Sequence, residues 1–211
     1  MSLLFVTGAG TGIGKTYVTA HLTRQLRVRA VKPVISGFDP AAPAGSDSAI
    51  LLEAMGEALT PANIDAISPW RYAAALAPNM AARRENRTID LPAIVDWCAA
   101  QSGSVIIEGV GGVMSPVTDE ETVLDWIAAL DCPALLVGGS YLGAISHTLT
   151  AFEALRARAI AVAAIVVSES EAGVDLDETA AVIRTHTQTR VAIVPRRGAP
   201  QNLASFVVRY L

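Results

Sequence analysis

Residues 8–16 read GAGTGIGKT, and this run of glycines closing on a lysine and a hydroxyl has one obvious use in chemistry. Glycines let successive backbone N–H groups turn toward phosphate oxygens, and a helix start behind them adds its positive dipole end. Lys15 then reaches the outer phosphates, and Thr16 offers its hydroxyl to a magnesium ion. Counted from Ala9 the spacing is that of [Gly or Ala]-x-x-x-x-Gly-Lys-[Ser or Thr]; counted from Gly8 the loop is one residue longer. A glycine-rich turn between strand and helix also serves as a tight connection alone, and the flanking pattern decides. Leu3–Val6 reads as a strand and Lys15–Leu26 as a helix, which is the context a phosphate loop requires.

Of sixteen Lys and Arg residues only Lys15 and Lys32 are lysine, leaving fourteen arginines. Both lysines stand at expected strand ends. An ammonium is a compact point charge and a guanidinium a planar fork. The two exceptions therefore mark places where a point charge must fit beside phosphate, unless they are accidents of a drift toward arginine. In KPVISG, Pro33 fixes the chain after Lys32, and Ser36 and Gly37 bring a hydroxyl and a permissive backbone to the same mouth. SDSAILLE opens a helix at Ser46 with Asp47 in its first turn, where an acid suits either the helix dipole or a metal. SVIIEGVGG places Glu108 directly after an apolar strand, followed by Gly109, Val110 and Gly111. A carboxylate there resembles the acidic element of a phosphate-loop magnesium site, and an unpaired one would cost several kcal/mol. In GGSYLGAISHTLT, backbone amides near Ser140 could meet a carboxylate, and His147 reads as a packed or partner-facing side chain rather than a base.

Short apolar runs at Leu3–Val6, Ala30–Val34, Val105–Ile107, Ala134–Val137, Ala161–Val167 and Val191–Val194 read as strands buried on both faces. Helical periodicity lies between them at Lys15–Leu26, Leu91–Ala100, Val123–Leu130, Ala144–Ala157 and Leu176–Thr185. The alternation implies an α/β fold, a mostly parallel sheet with helices on both faces, of the P-loop NTPase type. At 211 residues and 52% hydrophobic content, one domain over 1–211 with a substantial core is the economical expectation. Phe38–Gly45, rich in small residues, reads as a surface loop. A net charge of −4 leaves no basic excess for nucleic acid. The longest apolar run, Ala159–Val167, falls short of the roughly 20 residues that cross a bilayer. With no basic segment before the first apolar stretch, the expected location is cytoplasmic, away from membranes. Cys98 and Cys132 show no metal or redox spacing and read as core.

The ordered set VTGAGTGIGKT, KPVISG, SDS, APNMAA (Ala77–Ala82), EGVGG and LGAISHTLT, spread over nearly the whole chain, resembles the dethiobiotin synthetase family. The resemblance implies magnesium and ATP, with 7,8-diaminononanoate and CO2 as the other substrates. It also implies a carbamate phosphorylated and then displaced to close a ureido ring. Carried over by motif, Lys15, Lys32, Thr11 and Ser36 would be catalytic, and Thr16, Asp47 and Glu108 would surround magnesium. Gly12, Ile13, Gly14, Lys15, Thr16 and Tyr17 would line the nucleotide with Asp47, Glu108, Gly109, Val110 and Gly111, although Tyr17 needs no more than a packing role. Ser168, Glu169, Pro195 and Arg196 fall where the family reads the base, but family members often have asparagine for Ser168 and tryptophan for Arg196. Some also carry an acid where this loop has Gly12. The family is homodimeric, and Tyr141–Ser146 would reach the opposite subunit's substrate. Two other classes share parts of this pattern. Partition-type ATPase switches place a signature lysine five residues before the loop lysine, where this chain has Gly10, and small-molecule kinases use a lid of arginines, for which only Arg83, Arg84 and Arg87 are at hand.

Overall fold

A computed structural model describes residues 2–197 and 201–211. Among these residues eight strands run in chain order: β1 (Ser2–Gly8), β2 (Arg29–Val31), β3 (Val34–Ser36), β4 (Trp70–Tyr72), β5 (Ser104–Glu108), β6 (Ala134–Gly139), β7 (Val162–Ser168) and β8 (Val191–Val194). Nine helices accompany them among the described residues: α1 (Lys15–Leu26), α2 (Asp47–Met55), α3 (Pro61–Ile67), α4 (Pro78–Arg84), α5 (Leu91–Ala99), α6 (Val123–Leu130), α7 (Ala144–Ala157), α8 (Leu176–Thr187) and α9 (Ala204–Val207). Six strands form one all-parallel sheet in the order β2-β5-β1-β6-β7-β8, and β3 and β4 form a separate parallel pair.

Alternation along β1 explains the layering. Leu3 and Phe5 enter the core on one face with Trp126 and Ile127 of α6, while Leu4 and Val6 enter the other with Val18 and Leu22 of α1. Val18 and Leu22 are four residues apart, so one helical face carries both, and each contributes about 1.5–3 kcal/mol by complete burial. Edge-on contact of Phe5 with Trp126, ring centroids 5.0 Å apart, anchors the opposite layer. The chain leaves β1 over one face and β5 over the other, so β1 lies at the switch point of the sheet, where clefts open beyond the strand ends.

The expected strand Ala30–Val34 is in fact divided. β2 ends at Val31, and β3 begins at Val34 in the second sheet. Pro33 has no N–H to continue the ladder, and the Lys32 N–H is instead donated to the Ile67 carbonyl at 3.0 Å. This break releases Lys32 from the sheet at the mouth of the cleft. Phe38–Gly45 is only partly a surface loop, because Phe38 is buried and Pro43–Gly45 forms a single 3₁₀ turn.

Candidate active site

The phosphate loop is pinned on both sides before it turns. The Ala9 N–H is donated to Val137 of β6, and the Val113 N–H from the β5–α6 loop is donated to Gly8, both at 2.9 Å. Gly14 caps α1 with φ +92°, and a Cβ there would stand 2.6 Å from Ser168 Oγ, so glycine is required twice over. Ile13 turns its side chain into the core beneath the loop. Lys15 is only 7% exposed, and its Nζ donates to the Gly10 carbonyl at 2.7 Å. Burial, and then the Lys32 ammonium, pull the Lys15 pKa from its usual 10.5 down to about 8, against the opposing pull of Glu108 and Asp47. Because the folded value lies below the unfolded one, a charged Lys15 costs the free fold stability below about pH 8, and the cost shrinks as pH rises toward 10.5. A polyanion beside it would relieve that cost.

Lys32 supplies the second charge. It is 5% exposed, and its Nζ stands 2.5 Å from Glu108 Oε1 and 2.8 Å from Asp47 Oδ2. Glu108 ends β5, in register with Val6 on β1, and is fully buried. Asp47 sits in the first turn of α2, whose Ser46 cap accepts the Ala49 N–H at 3.2 Å. Burial disfavours the Lys32 charge, but Glu108 and then Asp47 outweigh it, and the pKa lies above its ordinary value. Burial likewise works against a charged Asp47, and Lys32 overcomes this to hold the carboxyl below its usual range. Thr16 donates its hydroxyl to the same Glu108 Oε1 at 2.6 Å.

Two buried polar atoms here lack partners among the described residues: Glu108 Oε2 and Ser36 Oγ. A free oxygen on a buried carboxylate, beside a hydroxyl and a second carboxylate, is a hard-donor set that fits magnesium. No group of three or more His, Cys, Asp or Glu side chains able to hold a metal exists among the described residues. Magnesium commonly takes one or two carboxylates and completes its shell with water and substrate phosphates, so the fit is to a metal–phosphate complex.

Thr11, Gly12, Gly14, Lys15, Thr16, Lys32, Ser36, Asp47, Glu108, Val110 and Gly111 all line one cavity of about 580 Å³. Across the loop a second cavity of about 520 Å³ shares Thr11, Gly12 and Gly14 and is lined by Ile13, Tyr17, Ser168, Glu169, Pro195 and Arg196. The positions expected to line the nucleotide, Gly109 excepted, come from five separate stretches of sequence and meet along two sides of one loop. Tyr17 is 49% exposed there, its ring stacked on His21 with an interplanar angle of 5°. The Arg196 N–H is donated to Glu169 Oε2 at 2.8 Å, which fixes that wall. Gly109 lines neither cavity. Its N–H is donated to Val6, and a Cβ would meet the Phe5 ring at 2.6 Å, so packing accounts for glycine at this position.

Ser140 is fully buried, and its N–H is donated to Ser170 Oγ at 3.0 Å while Ser170 returns its own N–H to Ser140 Oγ. That amide is therefore not free for a carboxylate. His147 is exposed rather than packed within the chain, and its Nδ1 is hydrogen-bonded to the Tyr141 hydroxyl at 2.8 Å. Cys98 and Cys132 are buried as expected, and burial pushes both thiols up to about 12, which leaves them unreactive. Ala75, Leu76 and Ser115 also line the first cavity. Sequence patterns gave no sign of Ser115, whose Oγ accepts the Gly112 N–H at 2.7 Å and folds the β5–α6 loop over the cleft.

A glycine loop leading from the central parallel strand into a helix, with a buried lysine and an acid on the adjacent strand, defines the P-loop NTPase fold. Solved structures agree on the fold alone. The MinC:MinD cell division protein complex of Aquifex aeolicus aligns with a TM-score of 0.53 at 13% identity, covering 99% of this chain and 86% of that one. A ParA family ATPase from Chlorobium tepidum aligns at 0.52 and 13%, covering 99% and 90%. A family profile described as an AAA domain matches residues 2–201. Much nearer in sequence is the ATP-dependent dethiobiotin synthetase of Methylobacterium nodulans, 52% identical over 94% of this chain and 95% of that protein. That of Caulobacter vibrioides is 48% identical over 94% of each. The chain belongs to the dethiobiotin synthetase family.

Proposed function

We propose that this protein carboxylates 7,8-diaminononanoate with CO2 at the expense of ATP, closing the ureido ring of dethiobiotin and releasing ADP and phosphate. One observation carries the reading: the chain's two lysines, although seventeen residues apart in sequence, converge with Thr16, Asp47 and Glu108 on one cavity. One amine of the substrate takes up CO2 as a carbamate, which Lys32, Thr11 and Ser36 hold. A carbamate oxygen attacks the γ-phosphorus as ADP leaves, and Lys15 and Lys32 offset the charge on the transferring group. The second amine then attacks the carbamate carbon, and phosphate departs. Tethering makes this last step intramolecular, so positioning supplies much of the rate and no unusual base is needed. Thr16, Asp47 and Glu108 would hold magnesium, which would supply charge neutralisation across the phosphates. Ser168, Glu169, Pro195 and Arg196, with Tyr17, receive the nucleoside end.

The reading includes one catalytic domain over residues 1–211 and a cytoplasmic homodimer in which Tyr141–Ser146 meets the substrate's carboxylate tail from the opposite subunit. Leu142, 88% exposed at the tip of that stretch, supports a contact beyond this chain. No helix among the described residues is long and apolar enough to cross a membrane. Gly10, in place of a signature lysine, argues against a partition-type switch. The test is phosphate release measured with each component withheld in turn: release should require magnesium, bicarbonate and the diamine together. ATP turnover indifferent to the diamine would favour a switch, and a phosphorylated acceptor without ring closure would favour a kinase.

A further inference from the structure

The oxygens assigned above to magnesium are already engaged by a cation of the chain's own. Lys32 Nζ bonds to Glu108 Oε1 and Asp47 Oδ2, one oxygen from each carboxylate, and the Thr16 hydroxyl is donated to that same Glu108 oxygen. Glu108 Oε2 remains free, but a divalent ion placed there would share one carboxylate with a buried ammonium. Two ammoniums, Lys15 and Lys32, face two carboxylates, Asp47 and Glu108, so the four charges sum to zero. A metal ion arriving alone would add a double positive charge to a cluster in which Glu108 has no exposed surface, and burying unbalanced charge is strongly unfavourable. With no third acidic or imidazole group beside the pair among the described residues, only neutral water would complete its shell in the absence of phosphate, and the excess charge would stand.

We propose that Lys32 is a resident counter-ion that excludes divalent metal from this site until a triphosphate arrives, so that metal enters only together with the nucleotide. The inference rests on the metal-ligand assignment in the proposed function. A triphosphate carries more negative charge than one divalent ion neutralises. It therefore draws both ammoniums toward its oxygens, Lys15 from the Gly10 carbonyl and Lys32 from the two carboxylates, and completes the metal's shell with phosphate oxygens. The same exchange brings Lys32 to the transferring group only when metal and nucleotide are both bound, which ties assembly of the charged site to the arrival of the full co-substrate.

Manganese serves as the probe, followed by the loss of its free-ion paramagnetic signal on titration into the full chain, with and without a non-hydrolysable ATP analogue. Wild type should bind manganese only with the analogue. Lys32→Gln, which keeps a polar group and removes the charge, should bind it without nucleotide at least about tenfold more tightly than wild type. Adding Asp47→Asn should abolish that gain. Equal nucleotide-free affinity in wild type and Lys32→Gln overturns the proposal. Thermal melting of wild type keeps the question decidable should the variant not fold: manganese alone should leave the melting temperature unchanged and manganese with the analogue should raise it. A rise with manganese alone overturns the proposal. If manganese adds nothing even with the analogue, or Asp47→Asn leaves analogue-dependent binding intact, the ligand assignment itself fails, and that outcome is distinct from metal binding without nucleotide.

Discussion

Lys32 lies buried between carboxylate oxygens at 2.5 and 2.8 Å, whereas Leu142, on the β6–α7 rim of the same sheet end, is 88% exposed. At the phosphate end Lys32, Asp47 and Glu108 are paired within the chain, because burial makes an unpaired charge costly, while Lys15 reaches only the Gly10 carbonyl. On the rim, a large apolar side chain stands in solvent beside Tyr141 and His147, which bond chiefly to each other. The first region is determined by the chain's own energetics. The second is the surface that the proposed homodimer would cover.

The sharpest way to break this contrast is at its charged end. Lys32→Arg preserves the charge but puts a planar fork where two carboxylates close on a compact ammonium. The variant should fold with an unchanged circular dichroism spectrum and lose about 10²–10³-fold in kcat, the scale of removing one charge-stabilising donor from an active site. Near-normal turnover would show that this geometry does not matter. A smaller effect is expected on the rim. Leu142→Asp should leave unfolding stability within about 0.5 kcal/mol, since the side chain packs on little of its own chain. It should nevertheless shift the protein toward monomer in sedimentation and raise the KM for the diamine while the KM for ATP holds. Unchanged size and unchanged KM would remove the rim from the substrate site.

The same division decided what could be read from the sequence. The strands of the large sheet were legible as continuous Val- and Ile-rich runs because both of their faces are covered. Lys15, Lys32, Asp47 and Glu108 were legible because charge at the end of a buried strand or the start of a helix has few uses. The division of Ala30–Val34 was not, since hydropathy continues through Val34 and Ile35 while the decisive fact is the absent N–H of Pro33. β4, α3 and α4 are too short to show a period. That the Ser140 amide is already taken was not legible, because its partner, Ser170, lies thirty residues further along the chain. Gly109 looked like a ligand-approach glycine, and only the position of Phe5 reveals its packing reason. Long-range pairings of this kind leave no local signature.

Whether the cavity holding Lys15 and Lys32 sets a triphosphate against a carbamate is decided by a single turnover in bicarbonate labelled with heavy oxygen, with mass analysis of the phosphate released. An oxygen of the carbamate attacks phosphorus and departs with it when the ring closes, so each phosphate should carry one labelled oxygen. Phosphate without label would mean that the γ-phosphoryl group passed to water or another acceptor, and the account would be contradicted.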